Sequence, residues 1–158
     1  MSDFDDQLNS AIQKGRQQSR KTSQAESEKK MSKEEIKRLH SKYRLHLSDF
    51  IEERMQQLPN HFPGFRYETV YGERGWGAAC YRDDAGRGRR DFYSRLELTV
   101  RPLGEYDVLD ISVRGTIKNK EVMQRNFFQE LPEVELTRFE ETIQNWILNY
   151  AEQFSAAT

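Results

Sequence analysis

Residues 91–118, DFYSRLELTVRPLGEYDVLDISVRGTIK, alternate apolar and polar side chains twice over, with Pro102 and Gly104 between the two runs. In the first run Phe92, Leu96, Leu98 and Val100 take every second place, interrupted only at Ser94, while Tyr93, Arg95, Glu97, Thr99 and Arg101 fill the places between. In the second, Leu109, Ile111, Val113 and Ile117 alternate with Asp110, Ser112, Arg114 and Thr116. Successive side chains of a strand point to opposite faces, so each run has one apolar and one polar face. Residues 102–107 are too few for a crossover helix, and the two strands therefore pair antiparallel. A chain built around this hairpin has one sheet face to bury, and the rest of the sequence has to supply the cover.

Two segments supply it. Ser32 followed by Glu35 forms a capping box, with Met31 and Ile36 placed as its hydrophobic staple, so the domain is expected to start at residue 31 with a helix whose N-cap is Ser32. Its stripe is Ile36, Leu39, Tyr43, Leu47, Phe50, Ile51, Met55 and Leu58, spaced by threes and fours, and Pro59 and Pro63 end it. After Pro132 a second stripe runs through Leu136, Phe139, Ile143, Trp146, Ile147, Tyr150 and Phe154, with glutamates at 133, 135, 140 and 141 where the helix dipole favours acid.

Between the first helix and the central hairpin, residues 65–71 and 76–82 read as two more strands joined by a turn at Gly72 and Gly75. Residues 121–128 read as a fifth, with Val122 and Phe128 or else Met123 and Phe127 turned inward, after a two-residue turn at Asn119 and Lys120. Two helices about 10 Å wide match the width of four or five strands about 4.8 Å apart. The expected fold is α+β: an antiparallel sheet of four or five strands with two long amphipathic helices, N- and C-terminal, packed on one face.

Residues 1–30 have a different character. Phe4, Leu8 and Ile12 lie four apart behind Asp3, Asp5 and Asp6, and Gly15 suits a C-cap, which describes a short acidic amphipathic helix able to dock in a partner's groove. Residues 15–30, GRQQSRKTSQAESEKK, offer only Ala25 to a core and read as a flexible linker. The expected organisation is a polar tail over 1–30 and a single domain over 31–158. The low apolar share of 35% beside 32% charged residues agrees with part of the chain staying outside a core.

The chemistry in the sequence is sparse. Its one cysteine, Cys80, rules out an internal disulfide and a cysteine-built zinc site. His40 and His46, six apart, do not share a helix face, and His61 lies among prolines, so no metal site or cofactor is expected. The glycines at 72, 75 and 77 lack the Lys-Ser/Thr of a phosphate loop. No paired acid and base stand out, and the chain reads as a non-enzyme without catalytic residues. The first ten residues, MSDFDDQLNS, are acidic and lack the apolar core of a signal peptide, and no run is long enough to span a membrane, so a cytoplasmic protein is expected.

Binding is what remains. The polar face of the hairpin mixes Arg95, Arg101 and Arg114 with Glu97 and Asp110, a pattern that also serves as plain cross-strand ion pairing. The sequence AGRGRR places Arg87, Arg89 and Arg90 in a glycine-rich loop able to contact phosphate or an acidic protein. A net charge of −1 gives no global field for nucleic acid. The preferred expectation is a protein-binding or adaptor module, with Arg87, Arg89, Arg90, Arg95 and Arg114 as candidate contacts and Phe4, Leu8 and Ile12 as a tail motif. Its partner is another protein, a second copy of the chain included. The alternative is a nucleic-acid-associated protein using the arginine-rich stretch 82–95.

Overall fold

A computed structural model of the chain describes residues 3–84 and 92–157, and of residues 21–32 the backbone alone. Internal contacts divide the chain into two units, Met1–Arg38 and Leu39–Thr158. Helix α1 spans Asp3–Met55 without a break. Gly15 and Ser32 therefore lie inside it, where the sequence alone predicts a C-cap and an N-cap. Residues 16–30 are mostly Gln, Arg, Lys, Glu and Ala with no proline, all good helix formers, and a single interior glycine costs only about 1 kcal/mol. In the first unit the side chains of residues 3–20 are all exposed.

The second unit is a meander. Strands β1 (Arg66–Val70), β2 (Trp76–Asp83), β3 (Tyr93–Val100), β4 (Val108–Ile117) and β5 (Lys120–Glu130) form one sheet in the order β1-β2-β3-β4-β5. Every pairing is antiparallel. The central hairpin pairs Leu98 with Val113 and Val100 with Ile111, so the alternation in the sequence becomes one continuous apolar face. The fifth strand is present, and of the two inward sets it uses Met123 and Phe127: Met123 is 2% exposed and Phe128 62%. A register shift between Gly115 and Thr116 leaves Val122 as the extra residue, which explains why the alternation of 121–128 reads poorly in the sequence.

The turn into β5 sits one residue earlier than the sequence suggests. Lys118 and Asn119 have φ of 48° and 70°, as a two-residue turn of the primed kind requires. Three hydrogen bonds fasten it to β3. Tyr93 N–H donates to Asn119 Oδ1 at 2.9 Å, Asn119 N–H to the Tyr93 carbonyl at 2.8 Å, and Lys118 N–H to Ser94 Oγ at 3.0 Å.

Both helices pack on the apolar face. Leu47, Ile51 and Met55 of α1 are fully buried, and Cys80 Sγ of β2 donates to the Met55 carbonyl at 3.1 Å. The helix stops at Met55, short of the expected Leu58, because Pro59 opens a separate turn, α2 (Leu58–His61). Helix α3 (Leu136–Ala157) buries Phe139, Ile143, Trp146, Tyr150 and Phe154. Phe154 meets the rings of Phe62 and Phe65 edge-on at 5.2 and 4.9 Å, and Phe139 meets Phe127 at 4.8 Å. His46 of α1 and Glu140 of α3 join the helices at 2.7 Å. The fold is thus α+β, with both helices on one face. Among the described residues no helix is long and apolar enough to cross a membrane.

Candidate functional site

The face of the sheet opposite the helices carries the candidate site. Strand registers place Glu68, Ala79, Glu97 and Arg114 side by side across β1 to β4, with Tyr81, Arg95, Thr116 and Glu121 in the next row. Arg95 is the centre of this array. Its Nη1 donates to Glu68 Oε1 at 2.6 Å and its Nη2 to Glu97 Oε1 at 3.1 Å. Glu68 and Arg95 are two strands apart, and β2 between them carries only a methyl group at Ala79, which the fully buried Ala79 shows to be covered. A small residue there lets the ion pair lie flat across the strand.

The electrostatics follow from that enclosure. Partial burial works against the charge of Arg95, but hydrogen bonds to Glu68, Glu97 and Tyr93 outweigh it and hold its pKa above the ordinary arginine value. Arg95 is therefore a fixed, internally satisfied cation. Arg114, opposite Glu97, differs: its side chain is 66% exposed and its Nε is 3.6 Å from Glu121 Oε1, a loose pairing. Arg74, Arg95, Glu97, Arg114, Thr116, Asn119 and Glu121 enclose a polar hollow of about 310 Å³. Two exposed guanidinium forks, Arg74 and Arg114, border it and suit planar carboxylate groups.

The structure brings Arg95 and Arg114 of the candidate residues together on adjacent strands. Arg87, Arg89 and Arg90 lie outside the described residues. Arg82 points to the helix side, where its Nε donates to Asp84 Oδ1 at 2.8 Å and its Nη1 to the Pro63 carbonyl at 3.4 Å. In the first unit Phe4, Leu8 and Ile12 are 67%, 48% and 45% exposed on α1. Glu68, Arg74 and Glu121 are members that sequence reasoning missed. Alternation over Arg66–Val70 could have suggested Glu68, but the register across β2 was needed to join it to Arg95.

A second concavity lies on the outer surface of the helices. Leu58, Phe62, Ile147, Leu148 and Ala151, together with Arg54 and His61, line a cleft of about 460 Å³. Leu148 keeps 65% of its surface in water, so the cleft is shallow.

The groups with reactive chemistry are in other places. Burial pushes the Cys80 thiol up to about 12, against a smaller opposing effect of Arg95. His40 is buried, with Nε2 lacking a hydrogen-bond partner among the described residues. Burial lowers its pKa, a backbone hydrogen bond with Arg101 partly offsets this, and Arg44 adds to the lowering. Among the described residues no group of three or more His, Cys, Asp or Glu is placed to hold a metal ion. No protein-family model, curated protein or solved structure matches the chain.

Proposed function

We propose that this chain is a non-enzymatic protein-binding module that takes a partner on the uncovered face of its sheet. The observation that carries this reading is the array around Arg95, where a cation locked between Glu68 and Glu97 sits beside the exposed guanidinium groups of Arg74 and Arg114. The locked pair gives the surface a fixed shape, and the two exposed arginines remain to meet carboxylates of a partner. Mixed charge of this kind favours orientation and choice of partner over raw affinity. The inert thiol of Cys80 and the engagement of His46 with Glu140 support a binding role over catalysis. The proposal includes a cytoplasmic setting, where a lone thiol stays reduced.

The nucleic-acid alternative draws less support, since Arg82 and Arg95 are both engaged by carboxylates. The test is affinity capture from native lysate with the wild-type chain and with an Arg74→Glu, Arg114→Glu double variant, followed by identification of the captured proteins. A protein held by wild type and lost by the variant supports the proposal. Equal capture by both refutes this face as the binding surface. Salt-steep retention on heparin that the double variant does not weaken would instead favour the stretch 82–95.

A further inference from the structure

The two edges of the sheet are unequal. Edge strand β1 has five residues and edge strand β5 has eleven. Proteins blunt their sheet edges with short strands, prolines and charges, because an open edge is a template for another strand. β1 is blunted by its length. In β5 the stretch MQRNFFQ, residues 123–129, has no proline and one charge, Arg125, and the side chains of Gln124, Arg125, Asn126 and Phe128 are exposed.

The hydrogen-bond parity shows which backbone groups face outward. Leu131 N–H donates to the Asp107 carbonyl at 3.0 Å, one step beyond the Val108–Glu130 pair. Bonded pairs in an antiparallel ladder recur every second residue, so Met123, Arg125, Phe127 and Gln129 turn their N–H and C=O groups toward β4. The other side of β4 agrees: Arg101 N–H donates to the Asp110 carbonyl at 2.8 Å, so Asp110 belongs to the set facing β3. Gln124, Asn126, Phe128 and Glu130 are left with their backbone groups directed at the free edge.

We propose that two copies of this chain pair β5 against β5 across a twofold axis at Phe127, joining two five-stranded sheets into one. In that register Phe127 faces Phe127 of the partner subunit, Asn126 faces Phe128 of the partner subunit, and Arg125 faces Gln129 of the partner subunit. No like charges meet. An axis at Arg125 would set arginine against arginine at the closest kind of cross-strand position, which is destabilising. An axis at Phe127 also covers Phe128, which is 62% exposed in the single copy, and extends the apolar layer that Phe127 shares with Phe139. The bulge opposite Gly115 lies at the other end of β5 and leaves this half of the strand regular. The interface is self-complementary and closes at two copies. It stands apart from the proposed partner face, which it leaves open and doubles in extent.

The test is sedimentation equilibrium of the full chain across micromolar concentrations, for wild type, Asn126→Pro and Phe128→Lys. Proline at residue 126 removes an N–H that the ladder to β4 does not use, and edge strands accept proline at such positions. Phe128→Lys alters an exposed side chain and keeps the test available if the proline disturbs the fold. The expected result is a wild-type dimer and monomeric variants with wild-type circular dichroism. Phe127→Cys should also form a disulfide-linked dimer on oxidation, since the two Cα atoms would lie about 4.5 Å apart in a non-bonded antiparallel pair. Cys80, being buried, provides no competing thiol. A wild-type monomer at all concentrations, or a dimer that survives both Asn126→Pro and Phe128→Lys, overturns the proposal.

Discussion

The ring of Tyr150 lies directly over Gly115: a Cβ added to Gly115 would come within 3.0 Å of Tyr150 Cδ2 and 3.2 Å of Met123 Cβ. The ring cannot easily retreat, because Tyr150 Oη donates to the Thr116 carbonyl at 2.8 Å. Helix α3 is thus seated on β4 by a contact so close that a methyl group at Gly115 would have to push the tethered ring back by a few tenths of an ångström. Gly115→Ala should destabilise the fold by about 1–3 kcal/mol, the usual cost of overpacking. Tyr150→Phe should cost about 0.5–1.5 kcal/mol through the lost hydrogen bond. Urea unfolding of the two variants checks both values.

Trp146 and Leu148 are two residues apart on α3 and have opposite surroundings, being 6% and 65% exposed. Trp146→Ala should cost about 3–5 kcal/mol, as for other large core truncations. Leu148→Ala should stay within about 0.5 kcal/mol of wild type. Equal denaturation midpoints for the two variants would contradict the packing of α3.

Much of this packing was legible beforehand, because both helical stripes and the central hairpin bury one face each and so leave a period in the sequence. Of the expected stripe Phe139, Ile143, Trp146, Tyr150 and Phe154 are buried, while Leu136 and Ile147 at its margins are half-buried. The fifth strand was ambiguous for a physical reason: the bulge at Val122 breaks the period of two, so Phe127 and Phe128 could not be told apart by alternation. The capping box at Ser32 misled because a local cap signature competes with helix-forming neighbours on both sides. The site was legible only in part. Arg95 and Arg114 stand on the polar face of the hairpin, but Glu68 reaches Arg95 across a whole strand, and local periodicity carries no information on such a contact.

Folding should depend on pH through His40. Its pKa is lowered in the folded chain, chiefly by burial, from an ordinary value of 6.5. As pH falls below about 6.5 the unfolded chain takes up a proton that the folded chain refuses, so stability falls until the depressed folded value is reached and is level below it. Above about 6.5 the full stability is present. The stability advantage of wild type over His40→Gln should therefore shrink between pH 7 and pH 5, as read by guanidinium unfolding at each pH. An advantage that grows on acidification would mean that His40 is charged in the folded state.

The array on the uncovered face should act as a unit. Glu97 has a side chain only 14% exposed, so Arg95→Ala leaves it close to unpaired. That variant should lose about 1–3 kcal/mol, the cost of an unsatisfied buried polar group. Adding Glu97→Gln should restore part of the loss, whereas Arg114→Ala alone should change stability by no more than about 0.5 kcal/mol. A double-mutant cycle with no coupling between Arg95 and Glu97 would remove the premise of a fixed surface.

Site-specific photo-crosslinking in native lysate tests the partner face most directly. A photoreactive amino acid replaces either Glu121, which lines the hollow beside Arg114 on the uncovered face and leaves both exposed arginines in place, or Leu148, on the outer surface of the helices. A discrete crosslinked protein is expected from the Glu121 position that the Leu148 position does not give. No crosslink at the Glu121 position, or the same products from both positions, would contradict a partner seated on the sheet.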